Sequence, residues 1–169
     1  MISKKMTEKL NYQLNREIFS AYLYVSMAAY AMSEGFAGTA NWFNIQVQEE
    51  LVHAQKFYNY INGQGERVIL AAIEAPEIDF NSLKDLFEKT LKHEKEVTAL
   101  INGLVALARK ENDYATDAFL QWFVTEQVEE ELNPTEILQK LKIAGNDGNA
   151  LFMIDKDLGQ RVFVAPTQV

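Results

Sequence analysis

Four stretches of the chain repeat apolar residues at alternating steps of three and four, and each repeat is broken near its middle by polar residues. In the second stretch Phe43, Val47, Ala54, Phe57 and Ile61 fall on one helical stripe, and the missing member of the series is Glu50. The first stretch carries Leu10, Leu14, Glu17, Ala21, Tyr24 and Ala28. The third runs Leu83, Phe87, Thr90, Glu94, Val97, Ile101, Leu104 and Ala108, and the fourth Thr116, Leu120, Phe123, Gln127, Glu130, Pro134, Ile137 and Leu141. This spacing is that of side chains facing the interior of a helical bundle. The expected fold is all-α, a four-helix bundle.

Capping and turn residues set the expected limits. The first helix runs from about Lys4 to Ser33 and stops at Gly35-Phe36-Ala37-Gly38. Thr39 is the expected N-cap of a second helix, from about Ala40 to Asn62, which ends at Gly63-Gln64-Gly65. Residues 66–80 have no sustained helical period and read as a long connection. Asn81 or Ser82 caps the third helix, the chain breaks near Asn112-Asp113 before the fourth, and Gly145-Asn146-Asp147-Gly148 leads to a short fifth helix, from Ala150 to about Leu158. Short joins make the first and second helices antiparallel, and likewise the third and fourth. The long middle segment can cross the length of the bundle and leave helices two and three parallel. All of 1–169 is expected to form one domain.

The interruptions carry the chemistry. Glu17, Glu50 with His53 one step around, Glu94, and Gln127 with Glu130 stand at a matching level in the four seams. A carboxylate buried without a partner costs several kcal/mol, and a cluster of them is repelled further. The seams place no Lys or Arg at that level; two divalent cations against four carboxylates sum to zero charge. Glu50-x-x-His53 offers an oxygen and a nitrogen ligand on one helix face. An oxygen-rich set with one imidazole suits iron or manganese. The competing expectation is a structural or interaction bundle whose polar layers are merely hydrated.

Composition narrows the partners. The formal net charge of −8 and sequence pI near 4.8 leave no basic face for nucleic acid and suit a protein that attracts cations. The absence of cysteine removes thiolate ligands, thiol nucleophiles and disulfides. No apolar stretch is long enough to cross a bilayer, so no membrane partner is expected and the expected location is the cytoplasm.

Several segments together resemble one family. Leu14-Asn15-Arg16-Glu17, Tyr22-Leu23-Tyr24, Glu49-Glu50-Leu51-Val52-His53-Ala54, His93-Glu94, Phe119-Leu120-Gln121-Trp122-Phe123, Glu126-Gln127-Val128-Glu129-Glu130-Glu131 and Ile154-Asp155-Lys156-Asp157-Leu158 resemble the ferritins. The likeness is greatest to the non-haem ferritins of bacteria and archaea and covers nearly the whole chain. It implies an Fe(II)-oxidising centre in which Glu17, Glu50 and His53 bind one iron and Glu94 and Glu130 the other, with Glu50 bridging. Gln127 would sit beside the pair and handle bound oxygen or its products. A third iron site would draw on Glu49, Glu126, Glu129 and Glu130. Tyr24 and Trp122 match aromatic residues next to the centre, where they hydrogen-bond a ligand, pass an electron or simply pack.

The resemblance further implies iron storage and detoxification. Fe(II) would be oxidised to Fe(III) by O2 or H2O2 and stored as ferric mineral inside a hollow shell of twenty-four subunits, the fifth helix packing around the fourfold axes. Haem-containing relatives have a second Glu-x-x-His on the fourth helix and a Met after the second-helix Glu. This chain has Gln127-x-x-Glu130 and Leu51, so no haem is expected. A di-iron peroxidase is the alternative enzyme, although rubrerythrin-type members commonly add an iron held by cysteine. His93 lies off its seam and is expected at the surface. Pro134, inside the fourth helix, predicts a kink or break and a freed carbonyl on Glu130.

Overall fold

Side-chain caps begin four of the five helices in the computed structural model, which describes residues 2–165. The Ser3 hydroxyl accepts from the Met6 amide and starts α1 (Lys4–Ser33). Gly35, at φ 84°, lets the chain turn back so that the Phe36 amide reaches the Ala31 carbonyl. After α2 (Ala37–Gly63), Ser82 accepts from the Asp85 amide to begin α3 (Leu83–Glu111). Asp113 caps α4 (Tyr114–Ala144), and Asp147 caps α5 (Gly148–Leu158). Among the described residues the regular structure is entirely helical.

The start of α2 differs from expectation. Thr39 is not its cap but a fully buried residue of its first turn, and Phe36, in the cap position, offers no side-chain acceptor. The acceptor comes from α5 instead. One Asp155 carboxylate oxygen accepts from the Gly38 amide at 3.0 Å, and the other accepts from the Thr39 amide at 2.7 Å and the Thr39 hydroxyl at 2.8 Å. A negative group at these free amides also meets the positive end of the helix dipole. Gly38 is required there: a Cβ would run into the Asp155 carbonyl oxygen.

Residues 66–80 form the expected long connection and lie along α1. Asn11 donates to the Arg67 carbonyl and accepts from the Ile69 amide, Arg16 pairs with Glu74, and Ser26 donates to the Glu77 carbonyl. The segment thus travels in the direction of α1 and carries the chain from the end of α2 to the far end of the bundle. α3 starts beside the start of α2, and the two run parallel.

Apolar residues gather into two cores, one toward each end. Met27, Ala31, Phe43, Leu86, Phe87 and Leu141 belong to one. Met6, Leu10, Phe57, Ile61, Ile101 and Leu120 belong to the other. The polar seam positions lie between them. α4 runs through Pro134 without a break, and the proline itself is buried. A proline within a helix costs about 3 kcal/mol; burying Ile137 and Leu141 beyond it returns roughly 1.5–3 kcal/mol each. Continuing the helix is therefore the more stable course.

Candidate metal centre

Each long helix contributes to one buried polar layer. Glu17 comes from α1, Glu50 and His53 from α2, Glu94 from α3, and Gln127 and Glu130 from α4; none is more than 5% exposed. The same periodicity that fills the cores with Phe and Leu on either side carries these side chains inward.

Two sets of three possible ligands share Glu50. Donor atoms of Glu17, Glu50 and His53 lie within 4.8 Å of one another, as do those of Glu50, Glu94 and Glu130. His53 Nδ1 stands 3.5 Å from a Glu50 oxygen and 3.6 Å from a Glu17 oxygen. A third set joins His53 and Glu130 to half-buried Glu126, whose carboxylate is 3.9 Å from His53 Nε2. The remaining two expected third-site residues stand apart from that set. Glu49 is half-buried and paired with Arg161, and Glu129 is exposed.

Hydrogen bonds fix the carboxylates. Gln13 donates to Glu17 at 2.7 Å and Gln46 donates to Glu130 at 2.8 Å. The Tyr24 hydroxyl donates to Glu94. Gln127 Nε2 is within 3.3 Å of both the Glu94 carboxylate and its backbone carbonyl, and reaches the Thr98 hydroxyl at 3.2 Å. Trp122 packs edge-on against His53, with ring centroids 5.4 Å apart, while the Lys56 ammonium lies over its indole. Such outer contacts settle the orientation of groups that bind metal.

Crowding of buried acids shows in their proton affinities. Burial, reinforced by Glu130, raises Glu94 from 4.5 to about 8. Burial also pushes Glu50 well up despite the hydrogen bond and charge of His53, and raises Glu130 despite His53 and Gln46. Glu17 goes the other way: burial opposes its charge, but His53 and the Gln13 hydrogen bond outweigh it. For His53, burial favours the neutral ring, yet Glu17 and Glu50 lift its affinity well above the ordinary value. Protonation of Glu50, Glu94 and Glu130 relieves part of the repulsion among these acids. Divalent ions would replace the protons, and a set of carboxylates with one imidazole matches hard or borderline metals such as iron.

His93 is not on the surface as expected. It is buried, with Nε2 2.8 Å from the Ser20 hydroxyl and its ring packed against Phe19 and Tyr24. Burial, together with the Arg16 charge, lowers its pKa to about 4, so it is neutral and outside both ligand sets. Gln13, Gln46 and Arg161 escaped sequence reasoning. Gln13 sits one turn before its partner Glu17, an (i, i+4) signal that was readable, whereas Gln46 reaches Glu130 on another helix, a contact that spacing does not encode. Arg161 lies beyond the last helix and gave none.

The model of the ferritin-like domain family matches residues 7–144. A bacterial non-heme ferritin of Staphylococcus aureus is 45% identical over 163 residues, covering 96% of this chain and 98% of its own. A probable bacterial non-heme ferritin-like protein of Haemophilus influenzae is 44% identical over 159 residues, covering 94% of this chain and 96% of its own. Among solved structures, an open-pore ferritin from the hyperthermophilic archaeon Archaeoglobus fulgidus superposes with a TM-score of 0.95. It is 48% identical and covers 96% of this chain and 100% of its own.

Proposed function

The chain belongs to the ferritin family, and from that premise we propose that it oxidises Fe(II) at the buried layer and stores the ferric product. The observation that carries the proposal is the pair of ligand sets meeting at Glu50, one with Glu17 and His53 and the other with Glu94 and Glu130. Two Fe(II) ions held side by side each give up one electron. Together these reduce O2 to H2O2, or H2O2 to water, with protons drawn from the medium. Glu50 bridges the ions, and Glu17 and His53 fix the first. Glu94 and Glu130 fix the second. The Tyr24 hydroxyl and the Gln127 amide, both donors to Glu94, hold that carboxylate at one angle while the charge between the metals changes.

Iron is here a substrate in transit. Carboxylates bind Fe(III) without enclosing it, and the third, outer position on the way out would draw on Glu49, Glu126, Glu129 and Glu130, a reading supported by the approach of Glu126 and Glu130 to His53. The oxidised ion then joins a mineral in the cavity of a twenty-four-subunit shell, α5 contributing to the shell's fourfold axes. No helix among the described residues is long and apolar enough to cross a membrane, which accords with a cytoplasmic shell.

An anaerobic Fe(II) titration of the metal-free protein, followed by a pulse of O2 and near-ultraviolet absorbance, tests the reading. Saturation at two or three irons per chain with a fast oxidation phase is expected, and Glu50→Ala and His53→Ala should abolish that phase. Wild-type protein that binds no Fe(II) would leave only a bundle with polar layers.

A further inference from the structure

The segment after α5 returns to the bundle and delivers one cation to the edge of the acidic layer. Arg161 Nη2 donates to Glu49 Oε2 at 2.7 Å, Nη1 donates to Gln46 Oε1, and the guanidinium lies 4.7 Å from the Trp42 ring centroid. Gln46 in turn donates to Glu130 at 2.8 Å. Both charged side chains are about four-fifths covered, at 21% and 20% exposure, and the Asn41 amide holds the Arg161 carbonyl at 3.0 Å. The arginine is therefore placed, by its backbone and by its planar fork, on Glu49, the residue next to the proposed ligand Glu50.

We propose that Arg161 is a positioning residue that occupies Glu49 in place of a cation, so that a third metal ion binds only by displacing the guanidinium. The proposal rests on the two-ion reading above and concerns the outer position alone. It explains why Glu126, Glu130 and His53 converge while Glu49, one residue before the bridging Glu50, is turned to Arg161. It also ties occupancy of the outer position to Glu130, since any motion of Arg161 disturbs Gln46 and the bond that Gln46 makes to this ligand. An iron leaving the centre would have to open this contact, which then closes behind it.

Zn(II), which is redox-inert, is the probe. Calorimetric titration of the metal-free full-length protein is expected to show two tight ions per chain and a weaker third. In Arg161→Gln the third ion should bind about tenfold tighter, because a like charge is removed and a carboxylate freed. Arg161→Lys keeps the charge and should restore weak third-ion binding. An unchanged third ion in Arg161→Gln, or equal tightening in Arg161→Lys, overturns the proposal. Should Arg161→Gln fail to fold, zinc anomalous scattering from wild-type crystals decides: a third ion at Glu49 with Arg161 swung away supports it, and a third ion with the pair intact overturns it. Failure of wild type to bind even two ions would overturn the two-ion reading itself, a separate and recognisable result.

Discussion

Glu94 sets the direction of the centre's response to pH. Its proton affinity lies near 8 in the folded chain against an ordinary 4.5, so unfolding between those values releases a proton. Stability from this group is complete below about 4.5 and is lost as pH rises through 8; Glu50 and Glu130 act in the same sense. Metal-free protein should therefore melt at a lower temperature at pH 9 than at pH 6, and Glu94→Gln should flatten that difference. Calorimetry across the range checks both. Tyr24→Phe removes a donor to Glu94 without opening a cavity. Fe(II) oxidation should slow by about tenfold and the melting temperature should fall by several degrees, since a hydrogen bond to a charged group contributes roughly 1.5–3 kcal/mol. Stopped-flow absorbance reads the rate. The ligands themselves were legible because each breaks an apolar rhythm. His93 was not, because an off-seam position says nothing of a Ser20 and a Phe19 supplied by another helix.

At the scale of elements, caps local to the chain were readable. Ser82, and the breaks at Gly35, Gly63 and Gly145, announce their helix ends within a few residues. The start of α2 does not, since its acceptor stands 116 and 117 positions away in α5. Asp155→Ala should cost about 1–2 kcal/mol, the usual value of a lost N-cap, and should expose the first turn of α2 to amide exchange. Hydrogen exchange followed by mass spectrometry locates the change. Gly38→Ala should act on the same junction by a different route, pushing α5 off through the Asp155 carbonyl. Of the kink or break expected at Pro134, the break is absent: the helix continues because residues beyond the proline have a core to enter.

Across the molecule, two apolar cores are joined through a layer of acids that repel one another. Cations bound there should link the two halves. At a hundredfold excess over the dissociation constant, binding to the folded state alone adds about 2.7 kcal/mol. Stripping metal should lower the melting temperature of wild type and leave Glu50→Ala nearly unmoved, as scanning calorimetry with and without Zn(II) would show. The architecture was legible at this scale because connection lengths permit few arrangements of four helices. The path of residues 66–80 against α1 was not, as it depends on hydrogen bonds from Asn11 and Ser26 that no periodicity encodes.

The carboxylate at the head of α2 also orders events in time. A chain emerging from the ribosome presents residues 37–39 long before residue 155, so the first turn of α2 waits with open amides through synthesis of nearly everything that follows. Only when α5 has left the tunnel can that turn gain its carboxylate cap. A chain that stops short of residue 155 would leave the Gly38 and Thr39 amides without this acceptor, and the first turn of α2 would fray.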